Sequence, residues 1–319
     1  MSDLPARPKH PDLIFVGGTG RSGTHVLSQL LGSHTRYGRV PIECRFHCNP
    51  QGFPDLLNGR VGPEAFLRKL QKFWWRRIRA GEVAPVLAKR LAFGRKVRGL
   101  HKIVPRERFD AAVSEFERTY PLNLELACRN LFLDLLWPLT AEQEKPGLIE
   151  MSCFTIAAGP TLQRLFPESK LIHSVRDGRD AGSSKVSKRQ KRSHPRDGFE
   201  ALRWWEGRLR NIERGVEALP DRSKLLCTSL DELVAGDREG EYARVLDFTG
   251  LEDEPEMRRF FDQEMSADAA HKERWRDGLD PDQQRAVTFE YEKTLDRLQQ
   301  EDFHCAPQLL AAYHRQQPA

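Results

Sequence analysis

The sequence predicts an α/β fold, a central parallel β-sheet flanked by helices. Two observations carry that expectation. Strand-like and helix-like patterns alternate along the chain, the order that builds a sheet covered by helices. Two short apolar strands, Leu13–Gly17 and Lys170–Val175, each run directly into a polar turn and then a helix. No internal repeat or low-complexity linker interrupts the 319 residues, so one domain over 1–319 is expected.

Taken in order, the strand Leu13–Gly17 leads to a helix from about Gly23 to Leu31. The stretch Pro63–Ala80 opens on Pro and carries apolar residues at helical spacing, with Phe66, Leu70, Phe73 and Trp74 as its packed stripe. Gly81–Arg108 reads as an irregular segment over a site. Leu122–Leu136 reads as a buried helix and Gly147–Met151 as a short strand. A helix ending near Phe166 precedes the strand Lys170–Val175, and another helix follows it. Trp204–Leu219 is read as a helix covering the sheet, Lys224–Cys227 as a later strand, and the C-terminus as helical.

Hydrophobic residues make up 39% and charged residues 30%, a globular composition and not a disordered one. No run of 18 apolar residues exists, so no spanning helix is expected. The first residues lack a signal-peptide core, which makes the cytoplasm the expected compartment. Cys44, His47 and Cys48 lie close together, but no second cluster completes four ligands; no metal is expected, and reduced thiols are the better reading. Positive charge is uneven. Residues 66–102 hold 12 Lys or Arg against the single acid Glu82, and Lys185–Arg196 holds six basic residues and no acid. Such blocks suit nucleic acid, or a face that receives an anionic cofactor and an acidic acceptor. The basic side of the 63–80 helix would also suit an acidic membrane surface, so peripheral contact is open.

The chemistry concentrates at the two strand ends, where open parallel sheets bind ligands. The first reads Gly17-Gly18-Thr19-Gly20-Arg21-Ser22-Gly23-Thr24-His25. Its glycines allow backbone to approach a ligand, and amides at a helix N-terminus favour a phosphate. Ser22 and Thr24 add hydroxyls, and Arg21 adds a forked cation. A tight turn with a helix cap is the alternative reading. At the second end, Arg176 and Ser184 stand eight residues apart and could grip one phosphate from two sides. Alternatively, Arg176 and Arg179 pair with Asp177 and Asp180 as structural ions. The usual Gly-Lys-Ser/Thr of nucleotide hydrolases is absent, and no strand ends in a magnesium-binding acid. Arginine at both turns suits a nucleotide with several phosphates and no metal.

These residues resemble the sulfotransferases, most nearly the tyrosylprotein branch and related bacterial enzymes. LIFVGGTGRSGTHVLSQLLGSH is similar to that family's 5′-phosphosulfate loop, and SKLIHSVRDGRDAGSS to its 3′-phosphate motif, with the same Arg-to-Ser interval. Glu43-Cys44-Arg45 stands where the branch has Glu-x-Arg. The likeness covers roughly 12–45 and 147–276, and continues through LQRLFPESK, SLDELV, VLDFTGL and HKERWR. It implies a single P-loop-type domain using 3′-phosphoadenosine 5′-phosphosulfate (PAPS) without a metal and releasing 3′-phosphoadenosine 5′-phosphate (PAP). Residues 46–146 would then be a basic helical insertion facing the acceptor, and 277–319 C-terminal helices. Gly20, Arg21, Ser22, Gly23, Thr24 and His25 would hold the 5′-phosphosulfate, and Arg176 and Ser184 the 3′-phosphate. Lys272, Arg274 and Arg276 would close over that side, or simply form a solvated face.

For catalysis the resemblance implies Glu43 as the base taking the acceptor proton, with Arg21 and His25 at the reacting group. A salt bridge from Glu43 to Arg45 or Arg39 is the plainer reading of that carboxylate. His47 and His101 are fallback bases, more simply ordinary histidines. The Trp74-Trp75 and Trp204-Trp205 pairs read as packing, with adenine stacking an option for one of them. One departure is clear: the branch carries a Lys near the strand before Phe-Thr, where this chain reads Glu150-Met151-Ser152-Cys153-Phe154-Thr155. The acceptor is a hydroxyl of unspecified class: carbohydrate, lipid, phenol or tyrosine. The alternatives are a P-loop kinase for a small metabolite, against which the missing loop Lys counts, and a nucleic-acid-binding protein using 66–102, for which no recognised motif is present.

Overall fold

The strand Leu13–Gly17 is buried along its whole length, as its unbroken apolar run requires of a strand covered on both faces. In the structure, a computed structural model describing residues 6–76, 98–186 and 195–315, it is the central strand of five. The first half of the chain runs β1 (Leu13–Gly17), α1 (Thr24–Gly32), β2 (Tyr37–Arg39), α2 (Phe53–Leu57), α3 (Pro63–Lys69), α4 (Arg106–Thr119), α5 (Leu124–Leu136), α6 (Pro138–Glu142) and β3 (Gly147–Met151). There follow α7 (Gly159–Leu165), β4 (Lys170–Val175), α8 (Gly178–Val186), α9 (Gly198–Glu217), β5 (Leu225–Ser229) and α10 (Leu230–Val234). The described C-terminal part is helical: α11 (Arg238–Thr249), α12 (Pro255–Glu264), α13 (Ala267–Ala270), α14 (Pro281–Gln300) and α15 (Ala306–Arg315).

The sheet order is β2-β3-β1-β4-β5, and every pairing is parallel. Alternation along β1 divides the core. Leu13 and Phe15 pack into a layer with residues of α4, α5, α7 and α9, while Ile14 and Val16 pack with α1, α10, α11 and α12 on the opposite face. Beyond β4 and β5 the first layer continues through Trp205 of α9 into α14 and α15. With β3 and β4 on either side of β1, the chain reverses direction across the sheet at its centre. That is where a crevice opens beyond the carboxyl ends.

Several expected elements differ in detail. The last strand is Leu225–Ser229, not Lys224–Cys227, because Lys224 closes a 3₁₀ turn before it. The helix expected from Leu122 begins at Leu124, capped by the Asn123 side chain, and leaves Leu122 exposed. From Pro63 the chain is α-helical to Lys69 and then forms a π-helical turn over Leu70–Trp74. The added residue per turn rotates the stripe: Phe66, Leu70 and Trp74 are buried, but Phe73 is not. Residues 77–97, which hold most of the Gly81–Arg108 segment, lie outside the described residues, as do 187–194 of the second basic block. None of the described helices is long and apolar enough to cross a membrane.

A buried ion pair ties the loop after β2 to β3. His47 Nε2 lies 2.9 Å from Glu150 Oε2, within a ring of Phe15, Phe46 and Phe132, and Ser152 donates to the other carboxylate oxygen at 2.7 Å. His47 is thus committed to packing and is not a base at the surface. Burial alone lowers its pKa, but Glu150 and Cys48 outweigh that and raise it to about 10. The stability that this proton contributes is fully present below the unfolded value of about 6.5 and is lost as pH rises toward about 10. Urea midpoints are therefore expected to fall between about pH 7 and about pH 10, less steeply in Glu150→Gln. Glu150→Ala, which leaves the buried His47 ring without its carboxylate partner, should cost about 1–3 kcal/mol at neutral pH. Equal pH slopes in the two proteins would remove His47 from this account.

Candidate functional site

Four consecutive strand ends line one cavity of about 1050 Å³. The loop after β1 contributes Gly18–Arg21 and Gly23–His25; the segment after β2 adds Glu43 and Arg45; Cys153 and Phe154 follow β3; Arg176 directly follows β4. Its described lining carries seven basic residues, Arg21, Arg45, Arg98, Lys102, Arg176, Lys185 and Arg208, against the acids Glu43 and Glu264. Such a wall attracts a ligand with several negative charges.

The glycines of the first loop meet specific demands. A Cβ on Gly18 would stand 2.4 Å from both the Ser174 carbonyl oxygen of β4 and Ser22 Oγ. Gly20 and Gly23 have φ of 83° and 82°, the left-handed region that glycine adopts freely, and Arg21 joins them there at 68°. No side chain caps α1 at Gly23, which leaves its first-turn amides without a protein cap. Ser22 Oγ is buried and lacks a hydrogen-bond partner, an arrangement that normally implies a missing ligand or water.

The two turns named by the sequence meet. Arg21 Nε donates to Ser184 Oγ at 2.7 Å, and Arg176 Nη1 donates to the Arg21 carbonyl at 3.3 Å. Arg176 is itself buried, with Nη2 donating to the carbonyls of Ala270 at 2.6 Å and His271 at 3.2 Å while Nε has no partner. Asp180 holds the following segment by accepting from the amides of Glu273 and Trp275. The RDGRD stretch therefore combines both readings offered for it. Arg179 forms a buried pair with Asp177 at 2.6 Å and lies over the rings of Trp275, Tyr291 and Tyr313, while Arg176 lies 3.7 Å from Asp180 and also lines the cavity.

Glu43 is positioned from two sides: Arg45 donates to one carboxylate oxygen, and Cys153 Sγ lies 3.0 Å from the other. The salt bridge to Arg45 expected as the plainer reading is thus formed. Cys153, near the place where the resemblance calls for a Lys, lies close to Arg45, Arg208 and Lys185, and burial raises its pKa despite them. Arg208 stacks over Phe154 at 4.7 Å and has no carboxylate partner among the described residues. His25 lines the cavity, and burial together with Arg39 keeps its pKa below the ordinary histidine value.

Not every expected residue arrives here. Arg274 is exposed, 3.9 Å from Asp277, and neither it nor Lys272 or Arg276 lines the cavity. His101 Nδ1 lies 2.9 Å from the Trp75 carbonyl. Trp74 and Trp205 are buried in the core, while Trp204 reaches the cavity wall. Cys153, Arg98, Lys102 and Arg208 were not singled out from the sequence, although Arg98 and Lys102 fall in the basic Gly81–Arg108 segment expected over a site and Cys153 just after a strand end.

A model of the sulfotransferase family matches residues 11–255. Similar solved structures include the sulfotransferase domain of the Synechococcus PCC 7002 olefin synthase, at 17% identity over 91% of this chain and 98% of that one, with a TM-score of 0.49. The sulfotransferase domain of the curacin biosynthetic pathway is 14% identical over 83% of each chain, with a TM-score of 0.47. Mouse sulfotransferase SULT7A1, solved in complex with PAP, is 10% identical over 93% of this chain and 88% of that one, with a TM-score of 0.45. No curated protein matches the chain.

Steric demand at Gly18 can be separated from a general glycine effect. Gly18→Ala is expected to cost about 1–3 kcal/mol, because the β4 backbone is one of the atoms it strikes. Gly207→Ala, inside α9 with nothing within 4 Å, should instead add about 0.5–1 kcal/mol. Urea denaturation of both variants measures this, and a neutral Gly18→Ala would contradict the packing described.

Proposed function

The chain belongs to the sulfotransferase family, and from that premise we propose that it moves a sulfuryl group from PAPS to a hydroxyl acceptor. The observation that supports this donor is the meeting of the two turns. Arg21 reaches Ser184, and Arg176 reaches the Arg21 carbonyl, in a cavity walled by seven cations. The buried, partnerless Ser22 Oγ and Arg176 Nε fit a ligand with anionic groups at two ends. When bound, PAPS supplies the activated sulfuryl group and a nucleotide leaving group.

In this reading Gly20–Thr24, with the first-turn amides of α1, hold the 5′ end, and Arg176 Nε with Ser184 holds the 3′-phosphate. Arg21 neutralises charge where the leaving oxygen develops it; removing one such preorganised donor typically costs about 10²–10³ in rate. Arg274 lies outside the cavity wall in the structure, so the 3′ side is assigned to Arg176 and Ser184. His25, kept neutral by its surroundings, offers a hydrogen bond to a sulfuryl oxygen. Glu43 takes the acceptor's hydroxyl proton, a role worth about 10²–10⁴ when the base is placed, and Arg45 and Cys153 set its orientation. The charge that a Lys after β3 would bring comes instead from Arg45, Arg208 and Lys185 around Cys153.

Residues 1–319 act as one catalytic unit in this account. The 46–146 region forms the acceptor side, supported by Phe73, Arg98 and Lys102 in the cavity wall. The acceptor hydroxyl belongs to a carbohydrate, lipid, phenol or tyrosine, and a transfer screen with labelled donor across these classes identifies it.

Two measurements test the proposal. Isothermal titration should show PAP binding without Mg²⁺, weakened at least tenfold in Arg176→Ala; tighter binding of ATP with Mg²⁺ would overturn the donor assignment. Glu43→Gln should bind PAP as the unaltered protein does while transfer falls by about 10²–10⁴. Turnover unchanged in that variant removes Glu43 as the base.

A further inference from the structure

On the far side of β4 and β5 from α1, five chemically reactive side chains gather in a region the proposed transfer does not use. His173 of β4 and Cys227 of β5 are register partners across the sheet, so their side chains leave the same face next to each other. His304, between α14 and α15, places Nε2 2.7 Å from His173 Nδ1. One ligand atom from each of His173, Cys227 and His304 lies within 4.8 Å of the others. Glu213 of α9 stands behind, its Oε2 2.5 Å from His304 Nδ1, and Cys305 joins Glu213 and His304 at the same spacing. His173, Cys227, Glu213 and Cys305 are all at least nine-tenths buried.

We propose that His173, Cys227 and His304 form a structural binding site for a soft divalent cation of the zinc class, with Glu213 orienting His304. Two imidazoles and a thiol are the ligand types that select such an ion. A carboxylate on the second nitrogen of a ligating histidine is the usual outer support: it fixes which nitrogen carries the proton and turns the other toward the metal. The ligating nitrogens are His173 Nδ1 and His304 Nε2, the two that face each other in the structure. Ligation at the tetrahedral angle, with bonds of about 2.0–2.1 Å, would set the two nitrogens about 3.3 Å apart, so the rings need to separate by about 0.6 Å. Cys305 lies with Glu213 and His304, behind the three ligands. On binding, the Cys227 thiol gives its proton to solvent and forms a metal–sulfur bond, with no change of oxidation state.

The position gives the ion a purpose. It would fasten the chain between α14 and α15 to the two strands, three residues before Arg176, and so brace the end of β4 from the face opposite α1. That role is separate from sulfuryl chemistry and stands whichever acceptor the enzyme uses.

The test uses the full chain, reduced, stripped with a chelator and titrated with Co²⁺ and then Zn²⁺. One equivalent of Co²⁺ should produce a thiolate-to-cobalt charge-transfer band that Zn²⁺ abolishes and that Cys227→Ser lacks. Zn²⁺ binding should release protons and raise the thermal midpoint. Glu213→Gln, with PAP binding retained as evidence of folding, should bind Zn²⁺ about 10–100-fold more weakly. A cobalt spectrum of the unaltered protein without a thiolate band would overturn the proposal, whatever the variants do. So would equal Zn²⁺ affinity in the unaltered and Cys227→Ser proteins.

Discussion

The close approach of backbone to backbone at Gly18 is the constraint on which the site depends. The chain leaving β1 passes so near the Ser174 carbonyl of β4 that no side chain fits between them. That contact brings the first turn beside the end of β4. From there, Ser174 Oγ donates to the Ser22 carbonyl at 2.5 Å and Arg176 to the Arg21 carbonyl. Two turns more than 150 residues apart become one surface because β1 and β4 are adjacent strands whose backbones can touch.

Charge is arranged in two tiers around that surface. Below it, carboxylates and guanidiniums are spent on structure: Arg179 with Asp177, Asp180 on the Glu273 and Trp275 amides, and Asp231 on the Asp177 amide. Burial and the neighbouring carboxylate push the Asp231 pKa up to about 7, which reflects how many acids this tier crowds together. Above it, Arg21, Arg45, Arg176 and Arg208 line open space with few acids to satisfy them. Among these, Arg208 is half-buried against Phe154, a setting that disfavours an uncompensated cation. Imbalance of this kind is what a polyanionic ligand corrects.

The α/β class and both strand-end turns were legible in the sequence because each is a local signal, a short apolar run followed directly by its turn and helix. What escaped had no such signature. The strand Tyr37–Arg39 is three residues long with glycine at its centre, and only its pairing with β3 makes it a strand. Phe73 left the packed stripe because a π-helical turn shifted the register, which a 3.6-residue period does not foresee. Helix α4 also went unread, although Phe109, Ala112, Val113 and Phe116 stand at helical spacing. At the site, Glu43 was visible, but its partners were only half so. Arg45 is local, whereas Cys153 comes from an element that only the fold brings near. The histidine–cysteine cluster is the extreme case, drawing on positions 173, 213, 227, 304 and 305, which no spacing rule connects.

In the proposed function one nucleotide is held by both turns at once. Hydrogen–deuterium exchange with and without PAP tests it most directly, because each turn reports separately. PAP is expected to slow exchange together in the segment 18–27 and in the segment 176–184. Protection confined to one segment, or absent from both under saturating PAP, would contradict it.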